Sequence, residues 1–151
     1  GVPFTIAKTI TAAEVVAAVS GSNTTHTFDL LELESGTGGW QVASVVTLVA
    51  APFSSANTTL KCGLVSDYHG TDDDAIFTAQ NIGSGVSGGH AIGHLNAQKG
   101  ALTATPNNIM MNKGTGNKIT VTFGDSAALS GLTSGSVIVY MTIVIAPGEY
   151  A

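Results

Sequence analysis

The last strand-like segment, residues 135–145, alternates between two faces that are both largely apolar. Successive side chains of a strand point to opposite faces. One face carries the apolar residues Val137, Val139, Met141, Ile143 and Ile145. The other face carries Ile138, Tyr140 and Val144, with Thr142 as its polar member. A strand with two apolar faces must lie between two layers of protein, or between this chain and another copy.

Similar alternation and the turn residues between apolar runs predict about eight strands along the chain. The clearest strand patterns cover residues 4–10, 24–34, 40–51, 58–65, 118–124 and 135–145. One or two further strands are expected within 101–113, and 58–65 is expected to pair with 40–51 as a hairpin. No repeat and no break in composition divides the 151 residues, which fit a single domain, 1–151.

Two short helices are expected between the strands. Thr11 and Glu14 have the spacing of a capping box ahead of residues 15–19. The acidic run 72–74 would favour a second helix through residue 79, because acids stabilise a helix N-terminus. Residues 81–100 contain six glycines and little periodicity, which predicts a long loop. Together these elements predict an all-β, single-domain β-sandwich, with a jelly roll as the favoured version.

Charged residues make up only 10% of the chain, against about 25% in an ordinary soluble domain. An uncharged surface of this kind is typical of proteins that live inside assemblies, and a neutral secreted β-sandwich is the alternative. No apolar run approaches the ~20 residues that span a bilayer, so no membrane partner is expected.

The net charge of −5 argues against a nucleic-acid partner. The chain has no arginine, which is the side chain best suited to bind phosphate and guanine in a bidentate manner. Its basic residues are scattered along the sequence: Lys8, Lys61, Lys99, Lys113 and Lys118. A basic patch is therefore not visible in the sequence.

Metal binding has two candidate motifs, and both are weak. His90 and His94 have the i, i+4 spacing of paired ligands on a helix, but the glycines around them argue against a helix. A loop that makes contacts between subunits is the favoured interpretation. The acidic run 72–74 lacks the spaced acids, central glycine and closing glutamate of an EF-hand loop. We therefore expect no metal site and no cofactor.

Catalytic motifs are equally weak, so the chain is not predicted to be an enzyme and no catalytic residue is assigned. Ser87 lies in a Gly-x-Ser-x-Gly sequence, but within a glycine-rich segment rather than between a strand and a helix. Asp29 with Glu32 or Glu34 could form a pair of carboxylates, although a solvated strand edge explains them as well. The single cysteine, Cys62, alternates with leucines and is expected to be a buried small apolar residue.

The aromatic residues offer one further candidate site. Trp40 with Tyr68 or Tyr140 could form a platform on which a sugar stacks, but aromatics make up only 6% of the chain. Trp40 directly follows two glycines, and a role in anchoring a turn or a subunit contact is favoured.

Three segments, taken in order, resemble small jelly-roll structural proteins of tailed bacteriophage virions. They are residues 9–16, then 45–53 followed by 59–67, then 119–123 followed by 132–141. Those proteins serve as capsid decoration (cement) proteins or as head- and tail-fibre knobs. The resemblance implies homotrimers or dimers on a virion surface, with trimers favoured, and no chemistry.

The expected function is therefore that of a non-enzymatic virion protein on the capsid exterior, where it stabilises the head by bridging subunits of the major capsid protein. The residues expected to contact partners are Trp40, Phe53, His90, His94 and Tyr140. A fibre knob that binds a host receptor and a carbohydrate-binding module are the alternatives.

Overall fold

A computed structural model describes residues 3–32, 40–66, 70–95, 109–111 and 116–145. Its first elements are β1 (Pro3–Thr11), α1 (Ala12–Ala18), β2 (Thr25–Glu32), β3 (Trp40–Ala51) and β4 (Thr59–Ser66). They are followed by β5 (Gly70–Asn81), β6 (His90–Leu95), β7 (Ile109–Met111), β8 (Lys118–Gly124) and β9 (Ser136–Ile145). A single 3-10 turn, Leu129–Gly131, precedes β9.

The strands form two antiparallel sheets. The first sheet has the order β1-β9-β3-β6, with β7 also paired to β3, and the second has the order β2-β8-β4-β5. The first strand pairs with the last, and β1, β2, β3 and β4 lie alternately in the two sheets. The predicted all-β sandwich is confirmed.

The core lies between the two sheets and is built mainly from alternate residues of the central strands. From β9 it takes Val137, Val139, Met141 and Ile143, which are all fully buried, as the alternation predicted. From the facing sheet it takes Leu60, Cys62, Leu64, Ile119, Val121 and Phe123. Burying apolar side chains contributes about 1.5–3 kcal/mol each for a residue such as leucine or phenylalanine, so these rows hold the sheets together.

The helix α1 begins where the capping box predicted. The Thr11 side chain accepts a hydrogen bond from the Glu14 backbone N–H, and the Glu14 carboxylate accepts one from the Thr11 backbone N–H. Val15 is fully buried and anchors the helix to the hydrophobic core. The helix is only seven residues long, so its stability comes from this cap and this packing rather than from propensity.

The predicted hairpin between β3 and β4 is wrong. After β3 the chain crosses to the other sheet, where β4 pairs with β5 and β8. Phe53 lies at the start of this crossing and is held in place by two contacts. Its side chain is fully buried, and its backbone N–H donates a hydrogen bond to the Ile82 carbonyl. In these opposite sheets each strand has a central position, with β3 between β9 and β6 and β4 between β8 and β5.

The predicted helix at residues 72–79 is also wrong, since this segment belongs to β5. Between the pairs Cys62↔Phe77 and Leu64↔Asp72, β4 advances by two residues while β5 advances by five. The extra residues form a bulge, and Ala75, Ile76 and Phe77 are consecutively buried there. Pairing with β4 therefore overrides the helix-start signal of the acidic run.

The predicted long loop at 81–100 is wrong in part, because residues 90–95 form β6 and pair with β3. Within the predicted strand region 101–113, the structure describes only β7. Within the described ranges, no helix is both long and apolar enough to cross a membrane.

Candidate functional site

The outward side of the β1-β9-β3-β6 sheet carries the second apolar face of the last strand, β9. Directly paired residues of neighbouring strands share a face. One row across this side contains Ala7, Tyr140 and Val46. The neighbouring rows contain Thr9, Ile138, Leu48 and Ala91 on one side, and Thr5, Thr142 and Ser44 on the other. We call these ten residues, together with Val144, the uncharged face.

The uncharged face is apolar at its centre and carries no charged residue among those described. Tyr140 is 37% exposed, and Val46, Leu48 and Ile138 are half-buried. Threonines lie towards β1, where the Thr5 and Thr142 hydroxyls form a hydrogen bond of 2.8 Å. Among the described segments, nothing from the second sheet covers this side, since that sheet packs on the opposite side of β9. Among the described residues, the apolar side chains of this face therefore stay partly exposed.

The outward side of the other sheet has a different character. Lys61 pairs with Asp73 at 2.7 Å, and Lys118 pairs with Asp29 at 2.8 Å. The hydrogen bond from Lys118 to Asp29 raises the pKa of this lysine. Exposed ion pairs of this kind contribute little to stability because solvent screens them, but they keep the surface hydrated. The two outward sides of the sandwich therefore differ sharply in polarity.

The five residues predicted to contact partners fall in three places. Trp40 and Phe53 are fully buried in the core, so contact with a partner would require their side chains to leave it. Tyr140 lies at the centre of the uncharged face. His90 and His94 lie on β6, a strand and not a helix, and pair in register with Val49 and Val45. That these residues contact a partner stays a prediction.

The acidic run Asp72, Asp73 and Asp74 is the one cluster among the described residues whose oxygens could together reach a cation. One carboxylate oxygen from each lies within 4.8 Å of the others. The hydrogen bond with Asp72 raises the pKa of Asp74, and Lys61 already neutralises Asp73. The cluster lies at the partly exposed edge strand β5, where a solvated acidic edge explains it.

The candidate catalytic residues are not brought together. Ser87 is exposed in the segment between β5 and β6, where a strand rather than a helix follows it. The Asp29 carboxylate is paired with Lys118, and the Glu32 carboxylate accepts a hydrogen bond of 2.9 Å from the Gly116 backbone N–H. Glu34 lies outside the described residues. The arrangement supplies neither a strand–turn–helix nucleophile nor a pair of free carboxylates.

Cys62 is fully buried, as the alternation predicted. Burial raises the pKa of its thiol, because a thiolate would lose its hydration there. The side chain therefore behaves as a small apolar residue of the core.

The proposed sugar platform is not assembled from Trp40 and Tyr140. The indole of Trp40 is buried, whereas Tyr140 points to the uncharged face on the other side of the same sheet. Tyr68 lies outside the described residues.

A small cavity of about 110 Å³ opens between the edge strands β1 and β2. Its charged lining residues are Lys8, Glu14 and Asp29. A pocket for a drug-sized ligand has about 300–1,000 Å³, so this cavity has room for little more than a few water molecules.

Sequence reasoning identified the outer face of β9 but missed the contribution of β3. Val46 and Leu48 point outwards beside Tyr140 and Ile138. The signal was present in the sequence, since residues 45–49 are apolar at nearly every position, as in the last strand. What was missing was the pairing of β3 with β9, which joins two two-faced strands into one surface.

No family model matches the sequence, and no curated protein matches it. Among solved structures, a chain of the Cyanophage Pam1 capsid asymmetric unit aligns with a TM-score of 0.55 and 16% identity. The alignment covers 96% of this chain and 85% of that one. At this identity the likeness shows that the two chains share a fold.

A second solved structure, the Drosophila NLP-core, described in connection with pentamer formation and histone binding, aligns with a TM-score of 0.40 and 13% identity. That alignment covers 93% of this chain and 94% of the other.

Proposed function

We propose that this chain is a non-enzymatic structural protein of a phage virion, and more specifically a decoration (cement) protein on the capsid exterior. In this role it bridges neighbouring subunits of the major capsid protein. The observation that carries the proposal is the fold shared with a chain of the Cyanophage Pam1 capsid asymmetric unit over 96% of this chain. The segment order that resembles phage jelly-roll proteins supports it independently.

The physical character of the sandwich suits such a role. A bridging protein has to transmit force between two attachment points, which requires a rigid body. Two hydrogen-bonded sheets enclose a core in which the largest side chains, Trp40, Phe53, Phe77 and Phe123, are fully buried. The uncharged face adds an apolar surface of the kind that protein contacts cover, because interface cores are depleted in charged residues.

The stabilising mechanism is linkage. A protein that binds the assembled capsid but not its separated subunits stabilises the assembly by RT ln(1 + [L]/Kd), or about 2.7 kcal/mol per site at a hundredfold excess over Kd. Many such sites on one particle would raise the temperature at which the particle opens. No reaction is needed, which agrees with the scattered positions of the candidate catalytic groups.

The test compares phage particles with and without this protein by heating them and following genome release with a DNA-binding dye. Particles that lack the protein are expected to open at a lower temperature, and adding the purified protein back is expected to restore the original value. An unrelated acidic β-sandwich added at the same concentration is the control.

Equal heat stability with and without the protein would contradict the cement role. Imaging of labelled protein on the particle separates the alternatives, because a position on the tail would instead favour a receptor-binding knob. Binding of the isolated protein to a glycan array would favour the knob or a carbohydrate-binding module.

A further inference from the structure

We infer that the uncharged face is the contact surface for a second copy of this chain, so that two sandwiches pair face to face across β9 and β3. The inference does not depend on the proposed virion role. It rests on three properties of the described residues: where the charges lie, how continuous the face is, and how much area it offers.

The first property is the separation of charge from this face. The described charged residues lie on the second sheet, on α1, in the loop after β8 or beside the cavity between β1 and β2: Lys8, Glu14, Asp29, Glu32, Lys61, Asp72, Asp73, Asp74, Lys118 and Asp125. None of them lies on the uncharged face. Two copies with a net charge of −5 each can therefore meet there without bringing like charges together.

A two-fold contact places the same patch on both subunits, so that patch must be complementary to itself. A surface that carries charges of one sign fails this requirement, because like charges directly opposed across an interface are costly. The centre of the uncharged face, with Tyr140, Val46, Ile138 and Leu48, meets the requirement. Apolar side chains from two such faces can interdigitate as they do inside the sandwich, where sheets pack about 10 Å apart.

The second property is continuity. β9 pairs with β3 over nearly its whole length and with β1 on its other side. The outward residues of these strands consequently form aligned rows rather than isolated apolar spots. Scattered surface apolar residues are ordinary, whereas a contiguous patch indicates a binding surface.

The third property is area. β9 is ten residues long and the sheet path contains four strands. The strands β1, β9, β3 and β6 have 9, 10, 12 and 6 residues. With a rise of about 3.4 Å per residue and a strand spacing of about 4.8 Å, the face covers at most roughly 600 Å². Two copies would bury at most roughly 1,200 Å², at the lower limit of the ~1,200–2,000 Å² of specific stable interfaces. A weak, concentration-dependent dimer is the expected result.

A dimer differs from the trimer that the family resemblance favours. A three-fold ring requires each copy to present two different surfaces to its neighbours, whereas the uncharged face is a single surface that suits a two-fold pair. The mass of the assembly in solution therefore distinguishes the two arrangements.

The experiment measures the mass of the purified full chain by light scattering and sedimentation over a range of concentrations. The wild-type chain is expected to approach twice its 15.1 kDa mass. Tyr140→Lys places a charge at the centre of the face and is expected to weaken the dimer by at least about tenfold in Kd, because the two lysines would face each other or a desolvated surface.

Thr25→Lys is the matched control. Thr25 is exposed on β2, on the outward side of the other sheet, so this variant makes the same charge change without touching the face and is expected to keep the dimer. Tyr140 is exposed, so its replacement is expected to leave the fold intact, which thermal unfolding by circular dichroism will verify. Val46→Lys, on the paired position of β3, provides a second variant if the first unfolds.

A wild-type chain that stays monomeric at high concentration, or that forms trimers, would overturn the inference. So would a Tyr140→Lys or Val46→Lys variant that folds and dimerises as well as the wild type. These outcomes leave the cement role open, because that role is tested by the heat stability of particles. Conversely, a dimer that leaves particle stability unchanged would contradict the proposed function alone.

Discussion

Gly135 enters β9 with a backbone φ of +134°, a conformation that residues with a side chain rarely adopt. A Cβ at this position would lie 2.5 Å from the ring of Phe53, which is fully buried. Gly135→Ala is therefore expected to lower the free energy of unfolding by about 3 kcal/mol, combining backbone strain with overpacking. Chemical denaturation followed by circular dichroism measures the change.

Gly131→Ala is the matched control for this substitution. Gly131 lies four residues earlier, in the 3-10 turn, and a Cβ there would meet nothing within 4 Å. Its effect is expected to stay within about 0.5 kcal/mol. Similar losses for the two variants would show that the close approach of Gly135 to Phe53 does not matter for stability.

Asp125 links the loop after β8 to the start of β4. Partial burial raises the pKa of its carboxyl, but hydrogen bonds from the Ala127 backbone N–H and from the hydroxyls of Ser55 and Thr58 outweigh this and lower it overall. The carboxylate oxygens lie 3.0 Å from the Ala127 nitrogen and 2.9 Å from the Thr58 hydroxyl. These bonds favour the charged form in the folded state.

The pH dependence follows from this lowered pKa. The unfolded chain binds more protons than the folded chain at Asp125, so the stabilisation is complete above the unfolded pKa and is lost as the pH falls through the folded value. Wild type is expected to be more stable than Asp125→Asn at pH 7, and the difference should shrink towards about pH 3. Thermal unfolding of both proteins from pH 7 to pH 3 measures it, and a difference that does not change with pH would contradict the prediction.

At the scale of the element, β1 is an edge strand that carries a charge on its inward side. Lys8 pairs in register with Val139, which is fully buried, and it lines the cavity beside β2. An inward-pointing charge on an edge strand discourages pairing with the edge of another molecule, since that pairing would bury the charge. Pro3, at the start of the strand, removes one backbone donor as well.

Lys8→Val is accordingly expected to aggregate faster on heating, and turbidity or light scattering measures the rate. Lys61→Val is the matched control, because Lys61 lies on β4, between two other strands, and its loss changes the net charge equally. If the two variants aggregate at the same rate, the change in net charge is the cause, and the position of Lys8 on an edge strand is not.

At the scale of the whole molecule, the two outward sides of the sandwich divide the surface into a charged part and an uncharged part. An association through the uncharged part should not weaken when salt screens charges. Raising NaCl from about 0.05 to 1 M shortens the Debye length to about 3 Å. The Kd of the dimer is therefore expected to stay constant or to fall, because only the repulsion between two acidic chains is screened.

Sedimentation at the two salt concentrations measures this Kd. A dimer that dissociates in high salt would depend on ion pairs, and the contact would then have to involve the charged sheet. The Lys61–Asp73 and Lys118–Asp29 pairs would be the first groups to replace in that case.

The sequence by itself determined most of the elements and their inner faces. Period-two alternation identified β3, β8 and β9 closely, because these strands pack one face against the core, and the Thr11–Glu14 spacing identified the start of α1. Local patterns of this kind depend only on neighbouring residues. The two-faced last strand also implied that its second side needs a cover.

Only the tertiary structure decided how these elements are joined. In it, β4 lies in the opposite sheet from β3, and residues 72–79 belong to a strand that pairs with β4. Val46 and Leu48 lie beside Tyr140 on the outward side of the first sheet. Such pairings connect residues far apart in the chain, so no local pattern encodes them. The same pairings brought the apolar outer residues of β3 and β9 into one surface and left the described charges elsewhere.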